Sequence, residues 1–459
     1  MMPGKEERMG TAHKGKFYHS VYLDEEHCVG CINCLKGCAT EAIRVHNGKS
    51  VIIPDFCIDC GECIRRCTHR AREAERDDID AINDYEFTVA LPAPSLYGQF
   101  NNIDDINTIL NALISLGFDR VFEVSGAAEL VSEKTREYVE SHPEQWPIIN
   151  TACPTILRLI RVRFPSLIDH LMPLKAPVEV AAQIAKKRAV AETGLDPSKI
   201  GIFFISPCPS KVTETHAPVA ATKSAVDQVL AIKDVYPLLL SAMKNEKENP
   251  PDISISGKIG VGWGVTGGEA AGLLDEDAIA ADGLSNVIEV LENLEDQKFK
   301  QPIKFIELNA CPGGCVGGIF CVENPFLAAA KLKRLNKYLP VALSRCNDYV
   351  DAPDFYLEKD IEYIPVYKLG DNFVDSMKNM QRAERILSKL PLLDCGSCGA
   401  PTCKALAEDI VRDRAKLDDC IYNLRDSYEE LMLINSQLMK GAYDESERHR
   451  HKTRSGSDK

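Results

Sequence analysis

IELNACPGGCVGG, residues Ile306 to Gly318, runs an apolar segment straight into a Pro-Gly-Gly turn with Cys311 on one side and Cys315 on the other. Two earlier stretches do the same with one cysteine each. INTACPTILRLIRVRFPSLIDHLMPLKAP (Ile149 to Pro177) holds Cys153, and FFISPCPSKVTE (Phe203 to Glu214) holds Cys208. Taken singly, each cysteine reads as a small buried hydrophobe. Proline directly follows Cys153, Cys208 and Cys311, and Gly313-Gly314 separates the last pair. That points instead to tight turns bringing backbone close to something bulky.

Outward from these turns the chain has α/β character. FTVALPAPS (Phe87 to Ser95) and GKIGVGWGV (Gly257 to Val265) read as buried strands ending at Gly or Pro. IDDINTILNALISLGF (Ile103 to Phe118) and PVEVAAQIAKKRAVAETG (Pro177 to Gly194) read as amphipathic helices. The 459 residues suggest roughly three domains, and 45% hydrophobic with 27% charged residues is enough apolar material for a sizeable core. A net charge of −14 argues against nonspecific binding to nucleic acid or to an anionic membrane surface. No run approaches the ~18 apolar residues of a membrane span. Met1 to Tyr18 lacks the apolar core of a signal peptide, so a cytoplasmic location is expected. Eighteen cysteines are too sparse for a disulfide scaffold of this length, and without a secretion signal metal binding is favoured.

Two further groups of cysteines support that. Cys28-x2-Cys31-x2-Cys34-x3-Cys38 is followed by Cys57-x2-Cys60-x2-Cys63-x3-Cys67. A cubane cluster needs four converging thiolates, of which three come from one loop and the fourth from the other half of such a repeat. The expected sets are Cys28, Cys31, Cys34 and Cys67 on one [4Fe-4S] cluster, and Cys57, Cys60, Cys63 and Cys38 on the other. Zinc is the alternative, disfavoured by the tandem four-cysteine spacing. Ala39 and Thr68 replace the usual proline after each last cysteine without removing a ligand. Near the other end, Cys395-x2-Cys398-x4-Cys403-x16-Cys420 lies in a glycine-rich stretch that leads into a helix near Pro401. The helix's positive end suits an anionic centre. This segment resembles the small four-cysteine module of corrinoid iron–sulfur proteins, and a third [4Fe-4S] cluster is expected there, with zinc as the alternative.

The three central segments resemble, in order and wording, the signature motifs of the [FeFe]-hydrogenase catalytic domain. The resemblance implies an H-cluster, a [4Fe-4S] cubane bridged through one thiolate to a diiron unit with CO, cyanide and a dithiolate. Cys153, Cys208, Cys311 and Cys315 would hold the cubane, with Cys315 as the bridge. ALPAPS (Ala90 to Ser95) resembles the family's Ala-Pro-Ser element, which would place Pro94 and Ser95 beside one cyanide. Lys211, in PCPSK, falls where the family uses a lysine to donate to the other. GVGWGVTGGEAAGLL (Gly260 to Leu274) resembles a glycine-rich lining segment. A buried anionic iron centre needs such a fixed cation and backbone donors. The implied organisation is a disordered tail (1–20), an α+β bacterial-ferredoxin-like module (21–75), a central α/β hydrogenase domain (80–375), a small helical four-cysteine module (380–425), and a helix with a disordered tail (426–459). Implied partners are H2 and protons, a ferredoxin-like or other redox partner, hydrogenase maturation proteins and a signalling partner.

The chain also departs from the pattern. Standard members carry a second cysteine immediately before the first cluster ligand, where this chain has Ala152, and their proton-relay serine falls on Met172. Glu133 and Glu137 lie near the expected relay glutamates without aligning to them. Ser206, Asn309 and the IFCVENP ending (Ile319 to Pro325) differ as well. Proton hops need groups that exchange protons, so turnover at least two orders of magnitude below standard members is expected, which suits hydrogen sensing. No output domain is recognised, so a signal would pass to a partner or through electron flow. Two alternatives stand beside this: an iron–sulfur scaffold related to the hydrogenases but lacking the diiron unit, and a pure electron conduit. Lys211 and the Ala-Pro-Ser element argue against the scaffold. Cys321 reads as a buried structural thiol, and Cys346 has no context. His449 and His451 read as solvated. Leu424, Leu431 and Leu438 recur every seven residues, and a docked terminal helix is favoured over a dimer seam.

Overall fold

The computed structural model describes residues 18–244, 251–346 and 353–454, with side chains as far as residue 440. The chain divides into two compact units. The larger comprises Met1–Cys28, Gly37–Ala42 and Ile52–Val366, and the smaller comprises Val29–Lys36, Ile43–Val51 and Tyr367–Lys459. Among the described residues no helix is long and apolar enough to cross a membrane.

The larger unit is built on two parallel sheets. Phe87–Pro92 and Ile200–Ser206 form the centre of a four-stranded sheet edged by Arg120–Val121 and Gln228–Ala231. The unbroken apolar run IGIFFIS is buried at every residue, as expected of a parallel strand covered on both faces. The second sheet has Phe305–Asn309 between Ala278–Asp282 and Ile148–Ile149. The helix Asn107–Ser115 packs Ile109, Leu110 and Leu113 into a core shared with Phe203 and Ile205. Pro177–Thr193 is the second expected helix, and it ends at Gly194 in a left-handed conformation (φ 68°), the geometry glycine permits after a helix C-terminus.

What matters for function is where the strands end. Pro94 and Ser95 follow Phe87–Pro92, Cys208 follows Ile200–Ser206, Cys311 follows Phe305–Asn309, and Cys153 follows Ile148–Ile149. The carboxyl ends of parallel strands are where α/β folds bind ligands, because chain turning there exposes backbone amides and helix N-termini.

Three expectations need correction. The segment Gly257 to Val265 is not a strand: Lys258–Gly262 is a short helix. A glycine-spaced apolar run has no period of its own. Here Gly257 N is held by the Glu129 carboxylate, and Gly260 presses against the carbonyl of Ser125, leaving no room for a side chain. The end of the chain is helical through Arg454 rather than disordered from 449, consistent with its run of Glu, Arg and Lys; residues 455–459 lie outside the described residues. Nor is that helix docked, since Leu424, Leu431 and Leu438 are 53%, 64% and 67% exposed. Of the N-terminal tail, residues 1–17 lie outside the described residues. Ser20 is fully buried, its hydroxyl donating to Pro209 O at 3.0 Å.

In the smaller unit a buried ion pair joins Arg44 to Asp409. Val45 N donates to Gly399 O (2.9 Å), and the Lys36 ammonium reaches the carbonyls of Asp394 and Pro401. Residues flanking Cys31 and Cys34 are thereby fastened to the loop carrying Cys395 and Cys398.

Candidate metal centre

Cys153 and Cys208 each cap a helix that begins with proline, Pro154–Arg163 and Pro209–His216. Proline suits the first helical position because no N–H is needed there, and the remaining N-terminal amides and helix dipole favour negative charge near each sulfur. Cys311 and Cys315 sit on the turn after Phe305–Asn309, where Gly313 and Gly314 adopt φ of 76° and 91°. A side chain at Gly314 would start 2.5 Å from Thr266 N. That glycine therefore lets the glycine-rich segment close on the turn, through Thr266 N to Gly313 O (3.1 Å) and Val316 N to Gly264 O (3.0 Å).

The four thiols lie within one another's electrostatic reach. Burial, followed by the nearby Cys153 thiol, pushes Cys208 up to about 11. Cys311 is raised well above its ordinary value by burial and by Cys208, Cys153 and Cys315. Cys315 is raised by burial and then by Cys208 and Cys153, with the Lys211 ammonium acting the other way. Thiols this close repel as thiolates unless a cation holds them, which is the donor set of an iron–sulfur cube. Cys315 keeps an exposed surface.

The surroundings of the Cys311–Cys315 turn suit an anionic metal group. Lys211 Nζ donates one of its three N–H bonds to Ala152 O (3.0 Å). Ser95 is fully buried and its hydroxyl has no partner among the described residues, as is true of Thr266 Oγ1. The backbone of Gly264 lies against Pro94 and Ser95. Orphaned buried hydroxyls in a native fold call for a partner.

Other cysteines gather too. Cys57 and Cys60 are pushed far up by burial and by their neighbours Cys38 and Cys63. Ala42 N donates to Cys38 Sγ and Ala71 N to Cys67 Sγ, both at 3.2 Å, so the two halves of the repeat share one amide-to-sulfur contact. The loop of Cys57 to Cys63 lies on the Cys315 turn: Arg65 Nη2 donates to Gly317 O (2.6 Å), and Gly61 faces Ile319. Cys395, Cys398, Cys403 and Cys420 line one cavity. There the amide and hydroxyl of Ser397 hold the Cys395 thiol below its ordinary value, and burial raises Cys398.

The relay positions are changed as the sequence indicates. Met172 is buried, and Ala152 presents a methyl group. Glu133 accepts from Cys346 N (3.1 Å), and exposed Glu137 pairs with Lys134. Burial and Glu133 raise the Cys346 thiol to about 12. Cys321 is half-buried: its thiol donates to Cys315 O (3.4 Å), is raised by burial to about 12, and lines a cavity of about 250 Å3 with Arg65 and Glu323.

Sequence reading missed two buried groups. His19 Nδ1 and Asp59 Oδ2, 2.7 Å apart, lie beside the Cys57 sulfur. Glu269 and Glu307 face each other in the glycine-rich lining. Asn150 Nδ2 donates to Glu269 (2.7 Å), and Glu307 accepts from the amides of Gly267 and Ala270. Burial and then Glu307 push the Glu269 carboxyl well above the usual range. A carboxyl raised on folding binds more protons in the folded than in the unfolded chain, so its contribution is lost as pH rises from the ordinary glutamate range through the raised value. Glu269→Gln is expected to flatten that decline: its melting temperature relative to the parent should improve as pH rises above the ordinary glutamate range. A constant offset would show that Glu269 does not titrate.

A family model described as the iron-only hydrogenase large subunit, C-terminal domain, matches residues 86–277 and 273–319. Models for a 4Fe-4S dicluster domain and a putative Fe-S cluster match 20–68 and 390–422. Iron hydrogenase 1 of Clostridium pasteurianum is 24% identical over 369 residues, 65% of this chain and 64% of that one. The periplasmic [Fe] hydrogenase large subunit of Nitratidesulfovibrio vulgaris is 26% identical, covering 65% and 86%. Human nuclear prelamin A recognition factor is 25% identical over 50% of this chain and 62% of its own. The chain thus spans less than two thirds of the Clostridium relative. A solved [FeFe]-hydrogenase from Chlamydomonas reinhardtii superposes with a TM-score of 0.47 at 14% identity, covering 62% and 99%. Cysteines placed at the ends of parallel strands, and a match running through just over half of the sequence, lead to one conclusion: the chain belongs to the iron-only hydrogenase large-subunit family.

Proposed function

We propose that this protein is a slow [FeFe]-hydrogenase whose output is a hydrogen signal rather than bulk hydrogen metabolism. The observation that carries this is the gathering of Cys153, Cys208, Cys311 and Cys315 within one another's electrostatic reach, with the Lys211 ammonium acting on Cys315. In this reading all four thiolates hold a cubane, and Cys315 joins it to a diiron unit. When bound, that H-cluster supplies reversible, heterolytic H2 chemistry.

The chain's own residues supply the setting. Lys211 would hold positive charge against a cyanide-bearing anion, and the buried, unpartnered Ser95 hydroxyl would be available to donate to it. The glycine-rich segment excludes bulk water by closing over the Cys311–Cys315 turn. Contact between the Cys57–Cys63 loop and that turn supports electron exchange with a cluster on Cys57, Cys60, Cys63 and Cys38. A second N-terminal cluster on Cys28, Cys31, Cys34 and Cys67, and a third on Cys395, Cys398, Cys403 and Cys420, would serve as further electron carriers for exchange with a soluble one-electron partner. With no exchangeable proton at residues 152 and 172, protons reach the site only slowly.

Loading the purified, cluster-containing protein with a synthetic diiron cofactor tests the proposal. Infrared bands of iron-bound CO and cyanide should appear, with hydrogen turnover at least about 10²-fold below a standard member measured in parallel. Absence of the bands would leave the scaffold reading, and fast turnover would remove the sensing role.

A further inference from the structure

The terminal helix Ile421–Arg454 would extend about 50 Å, and it presents an ordered apolar seam to solvent. Ile421, Tyr428 and Asn435 occupy one position of a seven-residue repeat, and Leu424, Leu431 and Leu438 the position three residues on. The apolar members are 48–67% exposed. A repeat averaging 3.5 residues is the signature of a helix that wraps another helix; a helix resting on a globular core shows a broader 3.6-residue face.

We propose that this helix pairs, parallel and in register, with the same helix of a second copy of this chain. Met432, Ile434 and Met439 flank the seam and are similarly exposed, making eight apolar side chains on or beside it. At roughly 100 Å2 each they offer about 800 Å2 per copy, the amount each partner contributes to a stable interface. Asn435 sets the orientation. In a parallel pair it meets its own copy and the two amides hydrogen-bond; in an antiparallel pair it faces leucine and loses its partner. The outer face carries Asp426, Glu429 and Glu430, the wrong sign for an anionic lipid surface. Leu433 lies off the seam and takes no part.

Sedimentation velocity on the full, cluster-loaded chain tests this. A dimer at micromolar concentration is expected, and Leu431→Glu with Leu438→Glu should weaken it at least 100-fold while iron content stays unchanged, since both side chains are exposed. A photo-crosslinking residue at 428 should join to residues 425–431 of the other copy. A monomeric parent chain, a dimer insensitive to the double substitution, or crosslinks to the far end of the helix would each overturn the proposal.

Discussion

Replacing Ala152 with cysteine is expected to raise hydrogen turnover of the diiron-loaded protein by about 10²-fold or more, the range a positioned proton donor contributes. Ala152 directly precedes Cys153, and its carbonyl accepts from Lys211 Nζ. A thiol there would stand directly before the first cluster ligand and would restore the group that the motif resemblance places at this position. Ala152→Ser, with a far less acidic hydrogen, should give a smaller gain. The infrared spectrum should remain that of the parent, because no ligand is touched. A cysteine variant with unaltered turnover would show that proton supply is not what makes this protein slow.

Lys211→Met is expected to weaken retention of the diiron unit by about 100-fold or more. Removing one partner from a buried charge pair costs about 3–5 kcal/mol, and each factor of ten corresponds to about 1.4 kcal/mol. The measurement is a titration with synthetic cofactor, read as CO and cyanide band intensity against cubane content. Cubane content should hold, because the four cysteines are untouched. Lys211→Arg keeps the charge in another shape and should recover part of the loss. Equal retention in the methionine variant would mean that Lys211 serves only to hold the carbonyl of Ala152.

The parts of the fold that were legible in the sequence have a period or a sharp boundary. IGIFFIS and FTVALP are continuous apolar runs cut off by proline, and both are central parallel strands. Pro177–Thr193 starts at a proline and stops before a glycine, as a helix should. Gly257 to Val265 misleads because glycines erase the period, and its helix is imposed by Glu129 and Ser125 from another element. The N- and C-terminal cysteines stand out by their close spacing, whereas Cys153 and Cys208 stand alone and are legible only through the motifs around them. Glu269, Glu307 and Asn150 do not stand out, because each is a lone polar residue in an apolar segment and only folding unites them. A glutamate inside the strand FIELN was the available signal. Arg44 and Asp409 are 365 residues apart, and no local pattern foretells that pairing.

The central claim is that three distant segments place four sulfurs around one iron–sulfur cube and that one of them also holds two further irons. Anomalous diffraction at the iron edge from crystals of the diiron-loaded protein tests it most directly. The expected map has a four-iron peak within bonding distance of the sulfurs of Cys153, Cys208, Cys311 and Cys315, and a two-iron peak bonded to Cys315 on the side of Lys211. A cube held by a different set of cysteines, or further irons away from Cys315, would contradict the account.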